Sequence, residues 1–90
     1  MSKTVDQKRE MKAQKFIVNA KEEFKKLIPR DKIDSVGVTE CVEKDGDFEI
    51  TGMVGTVSPT GKEKTFGYTA KVNVDANEVC SLVKLQVRDL

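Results

Sequence analysis

Apolar residues change their rhythm partway along this chain. Between Met11 and Ile28, the positions Phe16, Ala20, Phe24, Leu27 and Ile28 recur at intervals of one, three and four, a spacing that gathers side chains on one stripe of an α-helix. Pro29 ends the stripe, because proline disfavours the helical conformation at the residue before it. Thr4 followed by Gln7 fits a capping box at a helix start. Residues 4–10 carry no apolar stripe, so the segment 1–10 is read as a frayed or extended helix start.

From Ser35 onward the period becomes two. Apolar–polar runs cover 36–43, 47–58, 62–74 and 79–88, and the breaks hold Lys44-Asp45-Gly46, Pro59-Thr60-Gly61 and Asp75-Ala76-Asn77-Glu78, all turn-forming. Alternation fixes register, because a slip of one residue turns every side chain to the opposite face. At the first break a two-residue loop would set Cys41 against Ile50 and Val42 against Glu49, with apolar sets on opposite faces. A three-residue loop ending in Gly46 sets Val42 against Phe48, Val38 against Gly52 and Val36 against Val54, and is the expectation. At the second break Pro59 and Gly61 bracket a three-residue loop that pairs Val54 with Phe66, Gly52 with Tyr68, Ile50 with Ala70 and Phe48 with Val72. The other face then pairs Glu49 with Lys71 and Thr51 with Thr69. At the third, Val74 opposite Val79 leads to Ala70–Val83, Tyr68–Leu85 and Phe66–Val87.

These registers describe an α+β domain: one N-terminal helix packed on a curved four-stranded antiparallel meander in the order 1-2-3-4. Strands of a dozen residues extend about 40 Å, whereas a helix over 11–28 extends about 27 Å. The sheet must therefore curl round the helix, and Gly37, Gly52, Gly55 and Gly67 inside strands permit it. This layout resembles the cystatin-like fold group, in which a curved antiparallel sheet wraps an N-terminal helix. Cystatin inhibitors carry Gln-x-Val-x-Gly near the second hairpin. Here Thr51-Gly52-Met53-Val54-Gly55 lacks the Gln and displaces the Val, so no inhibitory residues carry over. The segment Val74-Asp75-Ala76-Asn77-Glu78-Val79 looks like the turn of PepSY-type modules, bacterial domains linked to protease regulation, without their Gly before the Glu.

Ninety residues bound this to a single domain over 1–90. Met1 to Gln14 holds no apolar segment of the signal-peptide kind and no stretch approaches a membrane span, so the expectation is a cytoplasmic protein with no membrane partner. With no His in the chain, Ser-His-Asp and Cys-His arrangements are excluded, and no Gly-rich phosphate loop occurs. Cys41 and Cys80 make no zinc signature. They lie on the outer face three strand spacings apart, about 14 Å, beyond the reach of a disulfide. Glu40 falls on the core-facing parity, read as an inward charge guarding an edge strand, and the acidic run Glu40, Glu43, Asp45, Asp47 and Glu49 as solvated charge. No catalytic residue, metal ligand, cofactor or small-molecule substrate is therefore assigned. An enzyme acting through Glu40 or Cys41 is the residual reading.

Charge sharpens the picture. The net charge is +1, yet residues 1–32 hold ten Lys/Arg and five Asp/Glu (+5), while 33–90 hold six and ten (−4). The long apolar strand 79–88 lies at the sheet edge, where unpaired backbone invites strand addition. The leading expectation is a non-catalytic protein-binding module, an inhibitor or regulator, engaging a protein partner or a second copy through strand 79–88 and the hairpin tip. Its residues are Cys80, Leu82, Lys84, Met53, Val57, Pro59, Thr60 and Lys62. The alternative is a nucleic-acid or anionic-surface binder using Lys8, Arg9, Lys12 and Lys15 on the basic helix. No exposed aromatic accompanies those cations.

Overall fold

A computed structural model describes the backbone from Lys3 to Leu90 and the side chains from Gln7 onward. The Thr4 side chain of the expected capping box lies outside the described residues. The elements are α1 (Lys3–Val18), α2 (Lys21–Leu27), β1 (Lys32–Lys44), β2 (Asp47–Val57), β3 (Glu63–Val74) and β4 (Cys80–Asp89). The strands form one antiparallel sheet in the order β1-β2-β3-β4, as the alternation requires. The helices pack on one face of it, in a body 50 × 19 × 17 Å.

The single helix expected over 11–28 is two. At Asn19 the α-helical ladder stops, the Ala20 N–H bonds back to the Ile17 carbonyl at 3.1 Å, and Ala20 takes φ −88°, ψ 43° without a side-chain cap. Asn competes with helical backbone bonding. The break re-aims the second segment. Ala13, Ile17, Phe24 and Ile28 are buried, Phe16 and Ala20 are half-buried, and Leu27 is 50 % exposed. α1 lies over β1 and β3, whereas α2 lies over β1.

The middle hairpin keeps one register from Asp47↔Asn73 to Val57↔Glu63, as expected from its loop. Gly61 takes φ +86°, its N–H bonds to the Ser58 carbonyl at 2.9 Å, and Ser58 N–H bonds to the Lys62 carbonyl at 2.8 Å. This is a three-residue loop closed by a left-handed residue.

The first hairpin differs. Asp45 (φ 53°) and Gly46 (φ 85°) form a two-residue turn of the mirror-image type, with Lys44 opposite Asp47, Cys41 opposite Ile50 and Val42 opposite Glu49. The conflict that argued against this turn is resolved by a bulge. Thr39 is left unpaired, and beyond it Val38↔Gly52 and Val36↔Val54 take the expected register. This register turns Cys41 inward, not outward as expected, and leaves Val42 48 % exposed. Glu40 also leaves the core-facing row: it is exposed, opposite Thr51.

The third hairpin is displaced as well. The Asp75 carboxylate accepts the N–H groups of Asn77 (2.8 Å) and Val79 (2.9 Å). That holds Val79 in the loop, and Val74 faces Cys80 rather than Val79. A bulge at Val83 shifts the register again, giving Ala70↔Leu85 and Tyr68↔Val87. Two shifts restore parity, so Leu85 and Val87 face inward as expected, while Val79 (60 %) and Val83 (54 %) are exposed. Cys80 and Leu82 pack against the core rather than outward.

Phe24 and Tyr68 meet edge to face at the centre, with ring centroids 5.0 Å apart. Tyr68 passes over Gly52 and its hydroxyl donates to the Gly37 carbonyl at 2.8 Å, so one side chain spans from β3 to β1. A Cβ at Gly52 would stand 2.0 Å from that carbonyl oxygen. Only glycine fits there.

Candidate strand-docking site

β4 is an outer strand, with one side of its backbone unpaired by the sheet. The bulge at Val83 divides it, and Lys84 to Asp89 form the longer regular stretch, paired without interruption to Lys71–Phe66. Along this stretch Leu85 and Val87 are half-buried on the concave face, and Lys84, Gln86 and Arg88 alternate to the convex face, as strand geometry dictates.

On the concave side the helical layer stops short. α2 ends at Leu27, and the chain turns through Pro29 into β1. Between that turn and β4 lies a groove of about 570 Å³, floored by Phe66, Leu85 and Val87 and walled by Leu27, Ile28 and Arg30. Ile28 is nearly buried, whereas Leu27 on the rim is half-exposed. The acidic groups there already have partners. Asp89 pairs with Lys64 at 3.1 Å, and the Asp31 carboxylate accepts from Thr56 at 3.0 Å.

On the convex face Lys71 stands directly opposite Lys84, a like-charge cross-strand pair that is unfavourable. Arg88 lies over Gly67, its Nε 3.3 Å from where a glycine Cβ would be. Among the described residues neither Lys84, Arg88 nor Arg30 forms an ion pair. A second groove, of about 720 Å³, opens at the helix break beside Phe16 and Cys80 and carries both signs, with Lys12, Lys15 and Lys21 against Glu22 and Glu23.

The eight residues expected to form one protein-binding patch separate. Cys80 and Leu82 are on the concave side; Met53, Val57 and Lys84 are on the convex side. Met53 is 50 % exposed and Val57 half-buried. Pro59, Thr60 and Lys62 form the β2–β3 tip, beyond the same end of the sheet as the groove, since Lys32 pairs Val57 and Asp89 pairs Phe66. The groove residues Leu27, Arg30, Phe66, Leu85 and Val87 were outside that expectation. The shortness of the helix against the strands was the signal: sheet length that a helix does not cover has to be bare.

The basic row on α1 is partly engaged. The Arg9 guanidinium donates to the Val74 carbonyl and sits 5.8 Å from the Phe48 ring centroid. Lys12 pairs with Glu78 at 3.3 Å. Lys8 and Lys15 are exposed.

Both cysteines are free and half-buried. Burial, with Glu10 nearby, pushes the Cys41 thiol up to about 11 against a weaker opposing hydrogen bond from Gln14, and burial likewise raises Cys80. A thiol held protonated is a poor nucleophile. Glu40, in water, has no apolar pocket around it. Among the described residues no group of three or more His, Cys, Asp or Glu could hold a metal ion, and no helix is long and apolar enough to cross a membrane. Comparison with family models, with curated proteins and with solved structures finds no match for this chain.

Proposed function

We propose that this domain is a non-catalytic protein-recognition module that receives an extended segment of a partner protein as a fifth strand on β4. The observation that supports it is the bulge-free edge Lys84–Asp89 opening onto the apolar groove under Leu27. Backbone groups along an unpaired edge supply affinity, and a groove beside it takes alternate side chains. The cystatin-like layout is compatible with such a role and supplies no inhibitory residues. Binding of nucleic acid by α1 is the weaker reading, because Arg9 and Lys12, half of the proposed row, already serve the sheet and the β3–β4 loop.

Selection of displayed random peptides on the folded domain, followed by amide mapping of the winners, tests the proposal. The winners protect amides of Lys84–Asp89 from exchange, and Leu27→Asp weakens them at least tenfold with no loss of fold. Winners that map to the Lys8–Lys15 face or to the Pro59–Lys62 tip would overturn it.

A further inference from the structure

Two faces of one strand carry different demands, and together they specify the occupant. A strand added beside Lys84–Asp89 places alternate side chains on opposite faces. Those on the concave side enter the groove over the apolar side chains Phe66, Leu85 and Val87, with Arg30 at its wall. Those on the convex side stand beside Lys84, Gln86 and Arg88, because side chains directly opposite on one face of an antiparallel pair lie about 5 Å apart. There neither cation forms an ion pair among the described residues, and Lys84 faces Lys71, whose acidic neighbour Glu49 lies on the far side on β2.

We infer that the edge selects a short segment whose residues alternate apolar and acidic, with carboxylates at every second position beside Lys84 and Arg88 and apolar groups in the groove. This rests on the strand-addition reading and adds the partner's chemistry to it. A carboxylate between Lys84 and Arg88 gives Lys84 an acidic cross-strand neighbour of the kind Lys71 has in Glu49, which a neutral or basic segment does not. Period two is the essential element: the same composition in another order takes a carboxylate away from Lys84 or Arg88 and an apolar side chain away from Phe66, Leu85 and Val87.

Three blocked hexapeptides test it against the isotopically labelled full chain at low salt: acetyl-Glu-Val-Glu-Leu-Glu-Val-amide, its counterpart with Lys for each Glu, and the reordered acetyl-Glu-Glu-Val-Leu-Val-Glu-amide. The alternating acidic peptide shifts the amides of Lys84–Asp89 and binds at least tenfold tighter than either other peptide. The double variant Lys84→Glu/Arg88→Glu, altering two exposed side chains, reverses the order of the Glu and Lys peptides. If the acidic and basic peptides bind β4 equally, strand addition stands and the charge preference is overturned. If none of the three shifts these amides while selected peptides do, the alternating chemistry is overturned alone. If no peptide of either origin reaches β4, both fall. A 20 kDa species with these amides already protected before peptide is added assigns the edge to a second copy instead, and also overturns the inference.

Discussion

Gly52→Ala is the sharpest perturbation of this fold. The added methyl would stand 2.0 Å from the Gly37 carbonyl oxygen and 2.8 Å from the Tyr68 hydroxyl, where real contacts essentially never fall below 3.0 Å. The obstacle is the backbone of β1, so the strand itself must retreat by about 1 Å or more. Such overpacking costs about 1–3 kcal/mol, and displacing Tyr68 from the Gly37 carbonyl costs about 1 kcal/mol more. The lower chain entropy of alanine returns at most about 1 kcal/mol. A net loss of about 2–3 kcal/mol is a large share of the about 5–13 kcal/mol available to a chain of this length. It lowers Tm by about 10–20 °C. Urea denaturation followed by far-UV circular dichroism checks it, because Tyr68 is the only tyrosine, there is no tryptophan, and Tyr68→Phe variants would leave no fluorescent probe. Gly55→Ala is the control: its Cβ meets only the Ser35 hydroxyl, at 2.9 Å, and a hydroxyl can turn aside, so the change stays within about 1 kcal/mol. Tyr68→Phe loses about 1 kcal/mol in the native background and close to nothing in the Gly52→Ala background, because the bond is already broken there. A Gly52→Ala protein within 1 kcal/mol of the parent, or an undiminished Tyr68→Phe cost in the double variant, refutes the steric account.

Two further outcomes follow from the loops and the thiols. Asp75→Ala removes the acceptor for Asn77 and Val79 N–H and lowers stability by about 1–2 kcal/mol, with faster exchange of the Val79 amide; unchanged exchange would show that the carboxylate does not hold Val79 in the loop. At pH 8 Cys41 alkylates about 100-fold more slowly than an ordinary thiol, since its titration is moved from 9.0 to about 11, and urea abolishes the difference. Because the unfolded thiol ionises first, this group favours the fold below pH 9, and that contribution fades as pH rises towards 11. Equal labelling in folded and unfolded protein contradicts the burial of Cys41.

What alternation could decide, and what it could not, separates cleanly by strand. β2 and β3 are flanked on both sides, and one loop with a leading proline and a terminal glycine sets their register. Nothing opposes that loop's preference, so sequence and structure coincide from Phe48 to Phe66. In β1 the Asp45-Gly46 turn and the apolar alternation demand different registers. Reading by alternation alone chose one, whereas the chain satisfies both by leaving out Thr39. The error passed directly into function, since it placed Glu40 inside and Cys41 outside. In β4 the decisive group was the Asp75 side chain, whose hydrogen bonds draw Val79 into the loop and thereby turn Cys80 and Leu82 to the core. The edge itself was evident from strand order. The groove was not, because it depends on where α2 stops relative to a sheet that outruns it, and on the break at Asn19, which turns Leu27 to the rim.

The interruptions at the two outer strands also bear on polymerisation. Head-to-tail stacking of sheets needs two complementary edges that repeat without closing. β1 has unpaired residues at Asp34 and Thr39, and β4 offers only the six residues Lys84–Asp89 beyond Val83, about 20 Å of ladder. One edge is thus interrupted twice, and the other offers only a short regular ladder. A domain built this way lacks the pair of long, regular edges that open-ended stacking of sheets requires.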